Sequence, residues 1–200
     1  KDADVEQAVN DIVLSKTFDN GMICASEQAA IIDKEIYKEA KDLFVRFKVY
    51  FVNKEEKVKL SRFMFGFAHG DENVETAKLN PNIVGKSAHW IAEQAGFEVP
   101  EDTVILAVEC DMVGPKEPMT REKLSPVLAI LKSKDAEEGF KLAEQMVCFN
   151  GLGHSAAIHC KEQAMADAYG EKVKAMRIIW NSPTTFGGIG NVYNSFLPSM

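Results

Sequence analysis

This sequence is expected to fold as an α/β body in which helices flank a largely parallel sheet. Three observations predict that class. Short apolar runs alternate along the chain with stretches whose apolar residues fall at helical spacing. The runs at 104–108 and 127–131 are apolar throughout, as strands covered on both faces must be. The 200 residues are 46% hydrophobic and 26% charged, with no repeat or low-complexity tract, which suits a chain able to bury a core.

Residues 4–14 place Val5, Ala8, Val9, Ile12 and Val13 on one helical face. Asp19-Asn20-Gly21 then forms a polar turn. Ala29-Ala30-Ile31-Ile32 reads as a short buried strand, and Asp33 as the N-cap of a helix carrying Ile36, Tyr37, Ala40, Leu43, Phe44 and Phe47. Residues 49–52 suit a short strand, and 54–67 a helix with an aromatic face. His69-Gly70-Asp71 and Asn80-Pro81-Asn82 interrupt the pattern. Ser87 opens a helix through Ala95, which Gly96 stops. The strand at 104–108 is followed by a loop at 112–120 and the strand at 127–131. Asp135 caps a helix bearing Phe140, Leu142, Ala143, Met146 and Val147. Gly151-Leu152-Gly153 turns into a strand at 155–158; a helix at 161–169 and a strand at 176–180 follow. Residues 184–194 are expected to form a glycine-rich loop.

Thirty acidic residues against 23 basic give a formal charge of −7. That balance argues against a nucleic-acid interface, which needs a basic face. Anionic cofactors stay compatible with it, because backbone amides can hold phosphate locally. No apolar run is long enough to span a membrane, and the opening Lys1-Asp2-Ala3-Asp4 is no signal peptide. The four cysteines, Cys24, Cys110, Cys148 and Cys160, contain no C-x-x-C pair and outline no disulfide framework. A reducing, cytoplasmic setting is expected. Both ends read as cut, so the chain is expected to be a piece of a larger protein.

Cys24 is the first candidate for chemistry. It follows a turn whose Asn20 and Gly21 expose amides, and a thiolate needs such donors to hold its charge. The residue pattern alone favours a buried free cysteine, the commonest state of an intracellular Cys. His154 directly follows Gly151-Leu152-Gly153, where a large ligand can approach the backbone; the plain alternative is a turn histidine bonded to backbone. Glu122 lies in the charged run Arg121-Glu122-Lys123 and reads from sequence as a solvated charge. Cys148, His154, His159 and Cys160 match no zinc spacing, so no metal site is expected.

The segment 16–28, Lys-Thr-Phe-Asp-Asn-Gly-Met-Ile-Cys-Ala-Ser-Glu-Gln, resembles the active-cysteine motif of the aldehyde dehydrogenase domain in bifunctional aldehyde–alcohol dehydrogenases. Three later segments are similar to the same family, in the same order. They are Glu122-Lys123-Leu124-Ser125-Pro126, Gly151-Leu152-Gly153-His154-Ser155, and Asn181-Ser182-Pro183 leading to Gly187-Gly188-Ile189-Gly190. The resemblance covers nearly the whole chain and is weakest between residues 51 and 80.

The resemblance implies the catalytic (substrate) subdomain of a coenzyme A-acylating aldehyde dehydrogenase over residues 1–200, without its nucleotide-binding domain. It implies NAD and coenzyme A as cofactors, a small aldehyde and an acyl-CoA as substrates, and a full-length homo-oligomer or filament. Cys24 becomes the nucleophile, with its backbone N–H on the oxyanion. His154 becomes the group near the entering coenzyme A, and Glu122 the ligand of the nicotinamide-side ribose. Asn20, Phe186, Gly187 and Gly188 are expected to line the aldehyde pocket. Two rival readings are a hydrolytic aldehyde dehydrogenase, against which His154 argues, and a non-catalytic assembly module, against which the thiol at position 24 argues.

Overall fold

The structure, a computed structural model, describes residues 1–190. Four strands form one wholly parallel sheet: β1 (Ala29–Asp33), β2 (Val49–Phe51), β3 (Ile105–Cys110) and β4 (Val127–Ser133), in the order β1-β4-β3-β2. Ala29 pairs with Ala129, and Leu106 with Val127. Two further strands, β5 (Ser155–Ile158) and β6 (Arg177–Trp180), pair in parallel as a second sheet.

The apolar runs are explained by what covers the first sheet. Leu106 and Val108 of β3 face a core built with Leu60, Met64 and Ile91, which come from α3 (Lys54–Phe65) and α4 (Ala88–Ala95). Ile105 and Ala107 face the opposite side, against Val5 and Val9 of α1 (Val5–Thr17) and Leu43 and Phe44 of α2 (Tyr37–Arg46). With a period of two and helices on both sides, every position of such a strand is apolar. A third core joins Ala143 and Val147 of α5 (Ala136–Asn150) to Ala156 of β5 and Tyr169 of α6 (Gln163–Lys172).

Several helix ends follow their predicted caps. Ser87 accepts the Trp90 N–H at 3.2 Å, Gly96 takes the left-handed conformation, and Asp135 accepts the Glu138 N–H at 2.9 Å. Asp33 departs from its predicted role. It closes β1, and its carboxylate accepts the Glu35 N–H at 2.9 Å, so the helix starts only at Tyr37. A second correction concerns the expected glycine-rich loop. Thr184–Ile189 is a helix, α7, whose glycines pack tightly; residues 191–194 lie outside the described residues.

Candidate active site

The turn before β1 is built from strained backbone. Asp19, Asn20 and Gly21 have φ of 49°, 50° and 70°, three successive left-handed residues. Asn tolerates that region through its short polar side chain, and Gly has no Cβ to clash. Gly21 is required for a second reason: a Cβ there would lie 2.7 Å from the Ser125 carbonyl oxygen. The tight turn lets the chain reverse into Cys24. Behind it, the Ser26 hydroxyl donates to the Gly21 carbonyl at 3.2 Å, and the Ser26 N–H donates to Ile23 at 2.9 Å. Cys24 is exposed, so the buried-thiol alternative does not hold. Among the described residues, its own N–H makes no hydrogen bond and is free to serve an oxyanion.

Glu122 reaches the same place because β1 and β4 are neighbours. Their approach segments are stitched together: the Lys123 N–H donates to the Gln28 side-chain oxygen at 3.0 Å. The Lys123 ammonium, fully buried, donates to the carbonyls of Gln28, Met119 and Arg121 at 3.0, 2.9 and 2.8 Å. His154 stands at the amino end of β5, between Gly153 at φ 99° and the strand.

A cavity of 410 Å³ brings Cys24, Glu122 and His154 to one surface. Glu122 and His154 are half-buried, and among the described residues neither side chain has a hydrogen-bond partner. A half-buried carboxylate with open lone pairs suits ribose hydroxyls, and an imidazole with open nitrogens suits a thiol proton. The site residues therefore fit the two cofactors that the motifs imply.

Four expected pocket residues are not among those lining this cavity. Asn20 is exposed, and its amide donates to the Gly85 carbonyl at 3.0 Å. Phe186, Gly187 and Gly188 lie in α7 and do not line it. Gly187 is a packing residue: a Cβ there would meet the Ile179 side chain of β6 at 2.1 Å. Glu27 lines the cavity and was not singled out from sequence, since a Ser-Glu-Gln run looks solvated. Its Oε1 accepts from the N–H of Thr184 at 3.1 Å and from the Thr184 hydroxyl, a partner 157 residues away that no local pattern announces.

No protein-family model matches the chain. Individual proteins match it closely. An aldehyde–alcohol dehydrogenase of Streptococcus pneumoniae is 61% identical over 200 residues, which is all of this chain and 23% of that protein. Aldehyde–alcohol dehydrogenase 2 of Entamoeba histolytica is 54% identical over 199 residues, again 23% of its length. The crystal structure of an acetylating aldehyde dehydrogenase from Geobacillus thermoglucosidasius superposes with a TM-score of 0.87 at 40% identity, covering 96% of this chain and 40% of that one. The chain thus spans under a quarter of the length of these two sequence relatives. Over its whole length the chain is similar to one segment of aldehyde–alcohol dehydrogenases and of an acetylating aldehyde dehydrogenase.

Proposed function

We propose that this chain carries the catalytic cysteine of an NAD-linked, coenzyme A-acylating aldehyde dehydrogenase that interconverts acetaldehyde and acetyl-CoA. The observation that carries the reading is the convergence of Cys24, Glu122 and His154 on one cavity. The acetylating and bifunctional names of its relatives support it.

Cys24, as thiolate, adds to the aldehyde carbon, and the oxygen takes the negative charge beside the free Cys24 N–H. When bound, NAD accepts hydride and coenzyme A accepts the acyl group. Hydride loss from the Cys24 adduct leaves a thioester on the sulfur. Glu122 orients by accepting ribose hydroxyls. His154 removes the proton of the incoming thiol, whose ordinary pKa is about 8.5. The second thiol takes the acyl group and frees Cys24. Residues 1–200 are read as the catalytic subdomain, with most NAD contacts and a side-chain oxyanion donor supplied by a separate nucleotide-binding domain. The parent protein is read as a cytoplasmic homo-oligomer or filament.

The test is mass spectrometry of the full-length protein after exposure to acetyl-CoA. An acetyl group on Cys24, lost in Cys24→Ser together with turnover, is the expected result. Near-normal turnover in Cys24→Ser sinks the reading, and free acid as the product instead of acyl-CoA moves it to the hydrolytic class. His154→Ala should keep the burst of NADH while steady turnover falls by about 10²-fold. A burst that falls with the steady rate removes the histidine from thiol deprotonation.

A further inference from the structure

The Cys24 thiol is exposed, so its position is set by the turn that carries it rather than by packing around the sulfur. That turn has two ends. At one end Gly21 sits against the Ser125 backbone. At the other end stands Glu27, three residues beyond the nucleophile. Its Oε1 accepts both the N–H and the hydroxyl of Thr184, the first residue of α7. One residue further on, the Thr185 N–H donates to the Oγ of Ser15 in α1 at 3.1 Å. Ser15, Thr184 and Thr185 are all buried, at 0%, 3% and 0% exposure. The first two residues of α7 are therefore held by two segments far from them in sequence, Thr184 by the Glu27 carboxyl group and Thr185 by the Ser15 hydroxyl.

Glu27 Oε2 is buried without a hydrogen-bond partner, and so is the Nζ of Lys16, a fully buried lysine at the end of α1. A hydrophobic residue at position 27 would leave the N–H and the hydroxyl of Thr184 without their acceptor.

We propose that Glu27 is a positioning residue for the nucleophile: it clamps the Cys24 turn to the start of α7. It touches neither reacting atom and acts through the placement of the sulfur. The inference rests on the assignment of Cys24 as nucleophile for its effect on turnover, but its geometric content does not.

The test uses the full-length protein, with Glu27→Ala, Glu27→Gln and Thr184→Val beside wild type. Two readouts are taken: the rate of Cys24 alkylation by iodoacetamide, followed by mass spectrometry, and kcat and KM for acetyl-CoA reduction per alkylatable thiol. An error of about 1 Å in a reacting group costs roughly 10²-fold. Glu27→Ala should lower kcat by that order with KM changed less than about twofold, and should shift the alkylation rate severalfold. Glu27→Gln keeps an oxygen acceptor for Thr184 and should stay within about threefold of wild type. Thr184→Val, which keeps the N–H and loses the hydroxyl, should fall in between and covers the case in which Glu27→Ala does not fold. Alkylation and kcat in Glu27→Ala both within about twofold of wild type would overturn the proposal. So would equal losses in Glu27→Ala and Glu27→Gln, which would make charge rather than anchoring the cause. If wild type is not acetylated at Cys24, the functional reading fails, and the alkylation rates alone decide the clamp.

Discussion

Two lysines without solvent exposure make opposite contributions. Lys123 spends its three donors on three carbonyls, and burial still pushes its pKa down to about 8. Lys16 has no acceptor, and burial pushes its pKa down to about 7. Lys123→Met should therefore destabilise the protein by about 2–4 kcal/mol, because three carbonyls lose their partner. Lys16→Met should be neutral or stabilise by roughly 1–3 kcal/mol, because it removes a buried amine that has no hydrogen-bond partner. Urea unfolding at pH 7 checks both, and loss of stability in Lys16→Met would mean that its amine is better satisfied than its surroundings indicate. His159 adds a pH dependence. Burial pushes its pKa down to about 4, and Asp11 at 3.9 Å is too far for a hydrogen bond. Between pH 6.5 and 4 the unfolded chain binds a proton that the folded chain refuses, so stability falls as pH falls through that window. His159→Gln should flatten the loss, on the order of 2–3 kcal/mol, in chemical denaturation at pH 7 against pH 4.5. Asp11 contributes with the opposite sign: burial raises its carboxyl pKa, so its share of stability is lost as pH rises through the folded value.

Among the elements, the nucleophile turn and α7 both depend on glycine, for different reasons. Gly21 needs a left-handed φ of 70° and meets fixed backbone, the Ser125 carbonyl. Gly187 meets side-chain atoms instead, Ile179 Cδ1 at 2.1 Å and Cγ1 at 2.9 Å, which can shift further than backbone can but not without loss of this close packing. Gly21→Ala should therefore cost about 3 kcal/mol or more and disturb Cys24 alkylation, while Gly187→Ala should cost about 1–2 kcal/mol and leave alkylation near wild type. Equal losses in thermal melts would contradict this division. The same two positions mark how far the sequence could be read. Asn20-Gly21 announces a turn by local chemistry alone, and Ser87, Gly96 and Asp135 announce helix ends in the same way. The three helix ends work through partners within four residues. Gly187-Gly188-Ile189-Gly190 reads as a loop because glycine disfavours helix by about 1 kcal/mol per residue. Tertiary contact reverses that preference, since only a residue without a side chain lets α7 lie this close to Ile179. Ordered motifs single out Cys24, Glu122 and His154, and all three line the cavity. Nothing local singles out Glu27, because its meaning lies in Thr184, at the far end of the described chain.

At the scale of the whole molecule, the candidate site lies at the amino ends of β1, β4 and β5, where the segments bearing Cys24, Glu122 and His154 enter their strands. Dinucleotides in open parallel sheets ordinarily bind beyond the carboxyl ends, over a glycine-rich turn that opens a helix. Among the described residues the corresponding feature is missing: Gly187 and Gly188 are buried inside α7, so their amides are not presented to a pyrophosphate. Glu122 can accept ribose hydroxyls, but one carboxylate on a chain of net charge −7 gives no attraction to a dianionic ligand. Among the described residues, the proposed nucleophile and one proposed cofactor contact therefore stand without a phosphate cradle. As an isolated protein the 200 residues should bind NAD with a Kd no tighter than about 1 mM, which corresponds to roughly −4 kcal/mol. Turnover with acetaldehyde, NAD and coenzyme A should be undetectable, while Cys24 should still be alkylated by iodoacetamide, because its exposure depends only on the local turn. Titration calorimetry decides the first point: micromolar NAD binding by the isolated 200 residues would place a nucleotide site within them and overturn the assignment of that role to a separate domain.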